Sequence, residues 1–419
     1  MMIFTSIYGV VDGFFISNYA GKTEFAAVNF IMPFIMILGI LGFMLGAGGS
    51  ALIGKNLGEG KKEKANEIFS MLVIVTIFSG IAIAVIAYFL MEPVASLLGA
   101  GDSMLDGCVL YGHWVLIGLP FVMLQYEFQS FYVVAEKPQM GLYTTLAAGV
   151  ANIILDFLLV GVFRLGIPGA AIATDLSQMI GGIIPIVYFA GKNDSLLKIG
   201  KFKFDIKAFL QVCGNGSSEF VSNISMSVVG MLYNTQLLNY IGEDGVAAYG
   251  VLMYVNMIFI SIFIGYSVGT APIISYHFGA ENTNELKSLF KKSLKIIASF
   301  AVLMLLAGEL LARPLASIFV GYDDTLMDIT LEAFRIFSFS FLFASVPIFG
   351  SSFFTALNDG LVSAIISFLR TIVFQIAAVI FLPMLFGADG IWYSIVAAEI
   401  VAALVTIFFW VTKRKKYNY

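Results

Sequence analysis

Charged residues are scarce in this chain of 419 residues: Asp, Glu, Lys and Arg make up 12% of it, about half the share in an average soluble domain. Hydrophobic residues make up 59%, and the mean hydropathy is +0.94. Apolar stretches of about 20 residues, the length that crosses a bilayer as a helix, recur along the whole chain. The scarcity of charge therefore excludes a soluble protein. It predicts an all-α polytopic membrane protein whose main surroundings are the lipid bilayer.

Cysteine and histidine are almost absent, with two of each. Cys108 and Cys213 are too few for a disulfide framework, and His113 and His277 stand alone in the sequence. A membrane-embedded enzyme would need a cluster of His, Cys or metal ligands at one depth, so we expect a protein that is not an enzyme and needs no cofactor. The basic residues lie in short loops rather than on one domain face, which argues against a nucleic-acid partner.

What the chain does contain is an internal repeat with a step of 221 residues. GKTEFAAV at 21–28 matches GEDGVAAY at 242–249, and PVAS at 93–96 matches PLAS at 314–317. The two glycines of LGIPGA match those of FGADGI at the same step. Matches at one spacing over almost the whole length indicate a duplication. Two joined membrane halves are typical of a transporter that rocks around a central site, and they argue against a passive channel.

The apolar stretches, with the Gly and Pro residues between them, predict about twelve transmembrane helices. Their predicted ranges are 2–20, 24–51, 64–91, 104–135, 139–163, 168–190, 208–241, 245–272, 286–312, 325–356, 360–386 and 389–412. Lys and Arg concentrate in alternate loops, which places both termini in the cytoplasm. We expect the chain to lie in the plasma membrane. Six helices per half then give two six-helix lobes related by a parallel pseudo-two-fold axis along the membrane normal. We expect lobes at 1–191 and 208–419, joined by a cytoplasmic linker at 192–207.

The repeat also predicts that the first helix is truncated. The second half begins with VCGNGS at 212–217, and the equivalent of Gly214 would precede Met1. We therefore expect the first helix to lack a cytoplasmic portion that its equivalent in the second half has. We interpret this as a wrongly assigned start codon or a cloning artefact rather than as a working short helix. Residues 1–20 contain no basic segment and include Asp12, so they do not form a cleavable signal.

Polar residues inside the spans are the candidate functional residues, because a charged group at membrane depth is costly. Asn152 and Asp156 lie one turn apart on the same face of a helix. A rise of 1.5 Å per residue places Asp12 and Thr174 at about the same depth in the outer leaflet. Two carboxylates, an amide and a hydroxyl suit Na⁺. Two close carboxylates also suit a proton, because like charges disfavour ionisation of both.

The internal repeat helps to separate a functional site from a structural one. If the fold required these four polar residues, their equivalents in the second half would also be polar. The equivalents at a step of 221 are Tyr233, Val373, Ala377 and Ile395. This comparison favours an ion or proton site over a structural hydrogen-bond cluster. No other metal site is expected.

Two further acids are candidates for substrate binding or for a second coupling site. Glu127 is flanked by Tyr126 and Phe128, and an acid with aromatic neighbours can bind a lipophilic cation by charge and cation–π contact. The alternative is that Glu127 pairs with Arg370 or with water. Glu219 begins the second half, where it acts either as a second coupling acid or as a counter-charge for the substrate.

The chain resembles the multidrug and toxic compound extrusion (MATE) family in VVDGFFIS at 10–17, NIILD at 152–156 and GIPGAAIAT at 166–174. AEKPQMG at 135–141 is similar to the Gram-positive multidrug-export branch. The resemblance covers essentially the whole chain apart from the missing start. It implies a V-shaped bundle of two six-helix lobes that exports lipophilic organic cations in exchange for H⁺ or Na⁺.

The resemblance also implies roles for individual residues. The first-lobe cation site of the family is similar to Asp12, Asn152, Asp156 and Thr174, which agrees with the depth argument. Glu219 loosely resembles a coupling acid that some members carry on helix seven.

We therefore expect a secondary-active multidrug antiporter that works as a monomer. The alternative is a lipid-linked oligosaccharide or peptidoglycan-precursor flippase of the same broad superfamily. A flippase must hold a pyrophosphate and would need several Arg or Lys inside its cavity. Arg335 and Arg370 are the candidates for that role in this sequence.

Overall fold

The fold is given by a computed structural model that describes residues 15, 16, 19, 22–98, 100, 102–320 and 324–419. Regular secondary structure in these ranges is helical throughout, which confirms the all-α fold. The helices are α1 (Lys22–Gly58), α2 (Lys62–Leu97), α3 (Asp102–Val134), α4 (Pro138–Asp156), α5 (Gly166–Ala190), α6 (Ile206–Tyr240), α7 (Glu243–Gly279), α8 (Thr283–Val320), α9 (Asp324–Ala356), α10 (Gly360–Phe368), α11 (Gln375–Phe386) and α12 (Asp389–Tyr417). A π-helical segment, Phe157–Val162, continues α4, and a second one, Leu369–Phe374, joins α10 to α11.

Within the described ranges, ten helical segments are long and apolar enough to cross a membrane, which confirms a polytopic membrane protein. The predicted first span, 2–20, lies outside the described residues except at 15, 16 and 19. The predicted span 208–241 forms α6, but the polar run GNGSSE near its start keeps it out of these ten. Helices α7 and α8 continue past their predicted ends because Pro272 and Pro314 are accommodated inside them.

The sequence repeat is also a repeat of backbone conformation. Gly166 and Gly387, 221 residues apart, have φ of 61° and 63°, and each lies at the turn between two helices. Glu136 and Asn358, in the α3–α4 and α9–α10 turns, have φ of 58° and 57° and lie 222 residues apart. The equivalence between the halves is therefore shifted by one residue in this hairpin.

The helices group into two compact units, one ending at Gly216 and the other spanning Ser217–Tyr419. The boundary falls inside α6, whereas the predicted lobes end at 191 and begin at 208, and those domain limits stay a prediction. The segment before α6 packs on the first unit. The backbone N–H of Gly200 donates to Ser70 Oγ of α2 at 2.8 Å, and Lys64 Nζ lies 2.6 Å from Asp205 Oδ2.

Helix α3 lies at the centre of the first unit, in contact with α1, α2 and α5. Gly42 and Gly46 allow α1 to approach it closely. A Cβ added at Gly42 would lie 2.3 Å from the carbonyl oxygen of Met123, and one added at Gly46 would lie 2.9 Å from Cα of Glu127. Small residues four apart permit such backbone contact between membrane helices.

Helix α9 occupies the equivalent central place in the second unit, in contact with α7, α8 and α12. Its buried face is aromatic and includes Phe334, Phe337 and Phe341. Close to its end, α9 packs on α12 through Gly350, where an added Cβ would lie 2.2 Å from the methyl carbon of Thr406. The candidate site of this unit lies along α9.

Candidate functional site

Two of the predicted coupling residues lie in the core of the first unit. Asn152 is 2% exposed and Asp156 is fully buried. Asp156 is the last residue of α4, immediately before the π-helical segment, and π-helical turns often occur at functional sites. Asp12, the third predicted member of the site, lies outside the described residues.

Thr174, the fourth predicted member, lies on α5, which packs against α4. Its hydroxyl oxygen and Asn152 Oδ1 are both buried and have no hydrogen-bond partner among the described residues. A buried acceptor without a partner costs about 1–3 kcal/mol. Two such oxygens on packed helices, together with the buried Asp156 carboxylate, have the chemistry to hold a cation or to share a proton.

Asp175, the residue after Thr174, packs against a different helix. A Cβ added at Gly118 of α3 would lie 2.2 Å from Asp175 Oδ1, so the carboxylate of Asp175 is directed at α3. Neighbouring residues on a helix face different directions, and α5 accordingly uses this acid for packing on the central helix.

Glu127 is fully buried on α3, and neither of its carboxylate oxygens has a hydrogen-bond partner among the described residues. The predicted alternative of a pair with Arg370 is wrong, because Arg370 binds Glu399 instead. Tyr126 stacks on Phe43 of α1, with ring centroids 4.0 Å apart and an angle of 16° between the ring planes. The aromatic ring beside Glu127 in sequence therefore packs on α1.

The second unit contains a cavity of about 240 Å³. Its wall is formed by α6, α7, α9, α12 and the π-helical region between α10 and α11. The apolar part of the wall includes Met226, Met253 and Phe337, and the carboxylate-bearing part includes Glu219 and Glu399. The structure thus places Glu219, a predicted site residue, on the surface of a cavity.

An ion pair forms one side of this cavity. Arg370 Nε lies 3.0 and 2.9 Å from the two carboxylate oxygens of Glu399, and Nη2 lies 2.8 Å from Oε1. The side chains of Arg370 and Glu399 are 18% and 7% exposed. The sequence contains a signal for this pair, since a lone arginine inside a span needs an acid at similar depth. The sequence does not indicate which acid it is, because depth along a helix gives no lateral position.

Two tyrosines also line the cavity. The rings of Tyr233 and Tyr249 stack, with centroids 5.4 Å apart and an angle of 7° between the ring planes. The hydroxyl of Tyr233 donates to Gln375 Oε1 at 2.7 Å. An aromatic wall, one paired carboxylate and a further carboxylate at Glu219 suit a ligand with an aromatic body and a positive charge.

Comparisons with known proteins agree with this architecture. The MatE family profile matches residues 1–158 and 220–382. The multidrug export protein MepA of Staphylococcus saprophyticus is 27% identical to the chain over 96% of the chain and 88% of the relative. The MepA of Staphylococcus haemolyticus is 26% identical over the same shares.

A crystal structure of MATE in complex with MaL6 superposes with a TM-score of 0.93 at 22% identity, covering 100% of this chain and 94% of that one. This likeness confirms the fold over the whole length of the chain. Since the family profile covers most of the sequence in two segments, one in each half, the chain belongs to the MatE family.

Proposed function

We propose that this protein is a secondary-active multidrug exporter that moves lipophilic organic cations out of the cell in exchange for H⁺ or Na⁺. It is a multi-pass membrane protein and a transporter rather than an enzyme. The plasma membrane as its location, and the cytoplasm as the side of both termini, are parts of the proposal. The side of the termini is supported by the concentration of Lys and Arg in alternate loops.

The observation that carries the substrate class is the charge of the second-unit cavity. Of its two carboxylates, Glu399 is neutralised by Arg370, whereas Glu219 takes part in no ion pair among the described residues. When Glu219 is ionised, the wall carries one net negative charge. The stacked pair Tyr233 and Tyr249 adds aromatic surface for cation–π contact. A monovalent aromatic cation complements this wall in charge and in surface chemistry.

The size of the cavity agrees with a small organic ligand. Its volume of about 240 Å³ is just below the about 300–1,000 Å³ of pockets that hold drug-sized molecules. Methionines such as Met226 and Met253 line it, and their unbranched side chains adapt to ligands of different shape. An adaptable wall suits a transporter that accepts several drugs.

The proposed coupling site is the buried polar group of the first unit. Asp156 supplies a buried carboxylate. Asn152 Oδ1 and the hydroxyl oxygen of Thr174 lack hydrogen-bond partners among the described residues, and Asp12 is proposed to complete the site. Ion and drug must favour different conformations of the transporter, so each weakens the binding of the other. Antiport follows from that opposition.

The proposed function is tested by uptake of a cationic dye into inverted vesicles, driven separately by a proton gradient and a sodium gradient. Asp156→Asn should abolish gradient-driven uptake while equilibrium binding of the dye persists. Glu219→Gln should weaken dye binding about 10- to 100-fold, because a hydrogen bond to a charged group contributes about 1.5–3 kcal/mol. Glu332→Gln, which removes an exposed acid of α9, is the matched control and should behave like the parent chain.

Different failures of this experiment have different meanings. Equal uptake by the parent chain and Asp156→Asn would remove Asp156 from the coupling site. Unchanged dye affinity in Glu219→Gln would remove Glu219 from the substrate site. If neither the proton gradient nor the sodium gradient drives dye uptake, the proposed export function is refuted.

The flippase alternative is disfavoured by the same cavity. Binding a pyrophosphate calls for several Arg or Lys side chains. Among the described residues that line the cavity, Arg370 is the one basic side chain, and it is bound to Glu399.

A further inference from the structure

Four buried hydroxyl groups form a continuous hydrogen-bonded chain in the second unit, and a fifth, that of Ser218, lies at its end. Ser351 Oγ lies 2.8 Å from Ser367 Oγ and 2.9 Å from Ser363 Oγ. Ser363 Oγ lies 2.7 Å from Thr355 Oγ1, which lies 3.5 Å from Ser218 Oγ. We call this set the hydroxyl chain. It connects α9, α10 and α6.

The hydroxyl chain begins at the cavity. Ser351 and Ser367 line the cavity wall, together with Glu219 on α6. The other members, Ser363, Thr355 and Ser218, are buried and do not line the cavity. Groups in the cavity can therefore exchange a proton with the first two hydroxyls, either directly or through water, because the cavity can hold several molecules of about 30 Å³ each.

The hydroxyl chain leads toward the lysine-rich end of the unit. Thr355 is in the last turn of α9, and Ser363 is in the first turn of α10. Asp359, in the turn between these helices, accepts a hydrogen bond from the hydroxyl of Tyr417 and lies 3.5 Å from Lys416 Nζ. A carboxylate paired with an exposed lysine marks the surface at this end of the helices.

The fold does not require hydroxyls at these positions. In the equivalent hairpin of the first unit, where the step is 222, three of the four residues that replace Ser351, Thr355, Ser363 and Ser367 lack a hydroxyl. The four replacements are Gln129, Val133, Gly141 and Thr145. The one hydroxyl among these four donates to its own helix, from Thr145 Oγ1 to the carbonyl oxygen of Gly141 at 2.9 Å. The same pair of helices thus packs without a hydroxyl chain.

We propose that the hydroxyl chain conducts protons between the second-unit cavity and the lysine-rich end of α9 and α10, an inference that rests on the proposed exchange of drug for H⁺. A hydroxyl donates one proton and can accept two hydrogen bonds, so each member can receive a proton on its oxygen and pass its own proton onward. In this proposal one proton enters at Ser351 or Ser367 from water or from a ligand in the cavity, and Thr355 releases one proton to water at the lysine-rich end of the helices. Rotation of the hydroxyls then restores the starting arrangement.

The geometry favours protons over metal ions along this route. Neighbouring oxygens at 2.7–2.9 Å are at the distance of an O–H···O hydrogen bond, with a hydrogen between them and no space for an ion. The hydroxyl chain therefore suits the passage of protons and not that of Na⁺.

The test uses two substitutions of Thr355 in the full chain. Thr355→Val has nearly the same shape but lacks the hydroxyl, and Thr355→Ser keeps it. Purified protein in vesicles that contain a pH-sensitive dye is given ethidium, and the rate of proton movement is recorded with the equilibrium affinity for ethidium. We expect Thr355→Val to slow ethidium-dependent proton movement about tenfold or more, with the affinity for ethidium unchanged. Thr355→Ser should restore the rate.

Deuterated water supplies a second measurement. Proton movement in the parent chain should slow in D₂O, whereas ethidium binding should not change. If Thr355→Val does not fold, Ser363→Ala removes the hydroxyl that joins Ser351 to Thr355 and is subject to the same expectations.

The outcomes separate this inference from the proposed function. Proton movement in Thr355→Val at the parent rate, or equal loss in Thr355→Val and Thr355→Ser, would overturn the proton route and leave the exporter intact. Ethidium export driven by sodium with no proton movement would do the same. Absence of ethidium export in the parent chain under either gradient would refute the exporter, and the proton route would fall with it.

Discussion

The ion pair between Arg370 and Glu399 gives a sharp prediction about stability. Replacement of Arg370 by Met keeps much of the side-chain volume but removes all three hydrogen bonds to the carboxylate of Glu399. Glu399 is 7% exposed, so its charge would be left buried without a partner. The double variant Arg370→Met/Glu399→Leu removes both charges of the pair, so neither is left buried without its partner.

The magnitude follows from the burial of each partner. Removing one member of a buried pair costs about 3–5 kcal/mol, and the 18% exposure of Arg370 favours the lower end. For a unit of about 200 residues, a loss of about 3 kcal/mol lowers Tm by about 6–12 °C. The double variant should differ from the parent chain by about 1 kcal/mol or less, because apolar replacement of a whole pair is often neutral. Glu399→Gln should cost less than Arg370→Met, since the cavity gives Arg370 some access to water.

Thermal unfolding in detergent, followed by circular dichroism, measures all four proteins under one condition. A double variant as unstable as Arg370→Met would refute the reasoning, because the loss would then come from packing rather than from an uncompensated charge. A larger loss in Glu399→Gln than in Arg370→Met would refute the assignment of the carboxylate as the more deeply buried partner.

Two further predictions concern the first unit. Gly42→Ala should lower Tm measurably, because its Cβ would lie 2.3 Å from the carbonyl oxygen of Met123. Gly265→Ala is the control and should not lower Tm, because nothing lies within 4 Å of the added Cβ. Equal Tm values for the two variants would contradict the close contact at Gly42. The hydrogen bond from Lys64 lowers the pKa of Asp205 to about 2, so the contact stabilises the segment before α6 above about pH 4 and is lost as the pH falls toward 2. The protection factors of that segment, which correct for the intrinsic pH dependence of amide exchange, should therefore fall between pH 4 and pH 2 in the parent chain. They should already be low at pH 6 in Lys64→Met, and a variant as protected as the parent at pH 6 would contradict this.

Much of the fold follows from the sequence because membrane helices are encoded by composition. Apolar runs of sufficient length, separated by turns such as the one at Gly387, locate most helices within a few residues. The largest errors are at helix ends: α1, α7 and α8 extend to Gly58, Gly279 and Val320, past the predicted ends at 51, 272 and 312. A membrane helix can continue through prolines such as Pro272 and Pro314. The repeat step of 221 also follows from sequence matches, whereas its change to 222 in one hairpin is visible in the positive φ of Glu136 and Asn358.

The candidate sites were less accessible to sequence reasoning. Asn152 and Asp156 could be selected because both lie on one helix and their equivalents in the other half are apolar. The partner of Arg370 could not be selected in this way, since several acids share its depth and only helix packing decides which of them binds Arg370. The hydroxyl chain was missed for a similar reason. Serines are common in membrane helices, and their contacts across α9 and α10 depend on how the two helices are rotated.

The π-helical segment Leu369–Phe374 has a consequence for the register of side chains along the cavity. In a regular α-helix, residues four apart drift around the axis by about 40°, so Ser367, Thr371 and Gln375 would spiral away from one another. A π turn holds more residues than an α turn, which reduces that drift, and all three residues line the cavity. Deleting one residue from the segment would restore α-helical winding and rotate Gln375 by about 100° relative to Ser367. Ser367, Thr371 and Gln375 would then no longer all face the cavity, and the hydroxyl of Tyr233 would lose its acceptor, Gln375. The backbone hydrogen bonds of the helix could nevertheless all be formed.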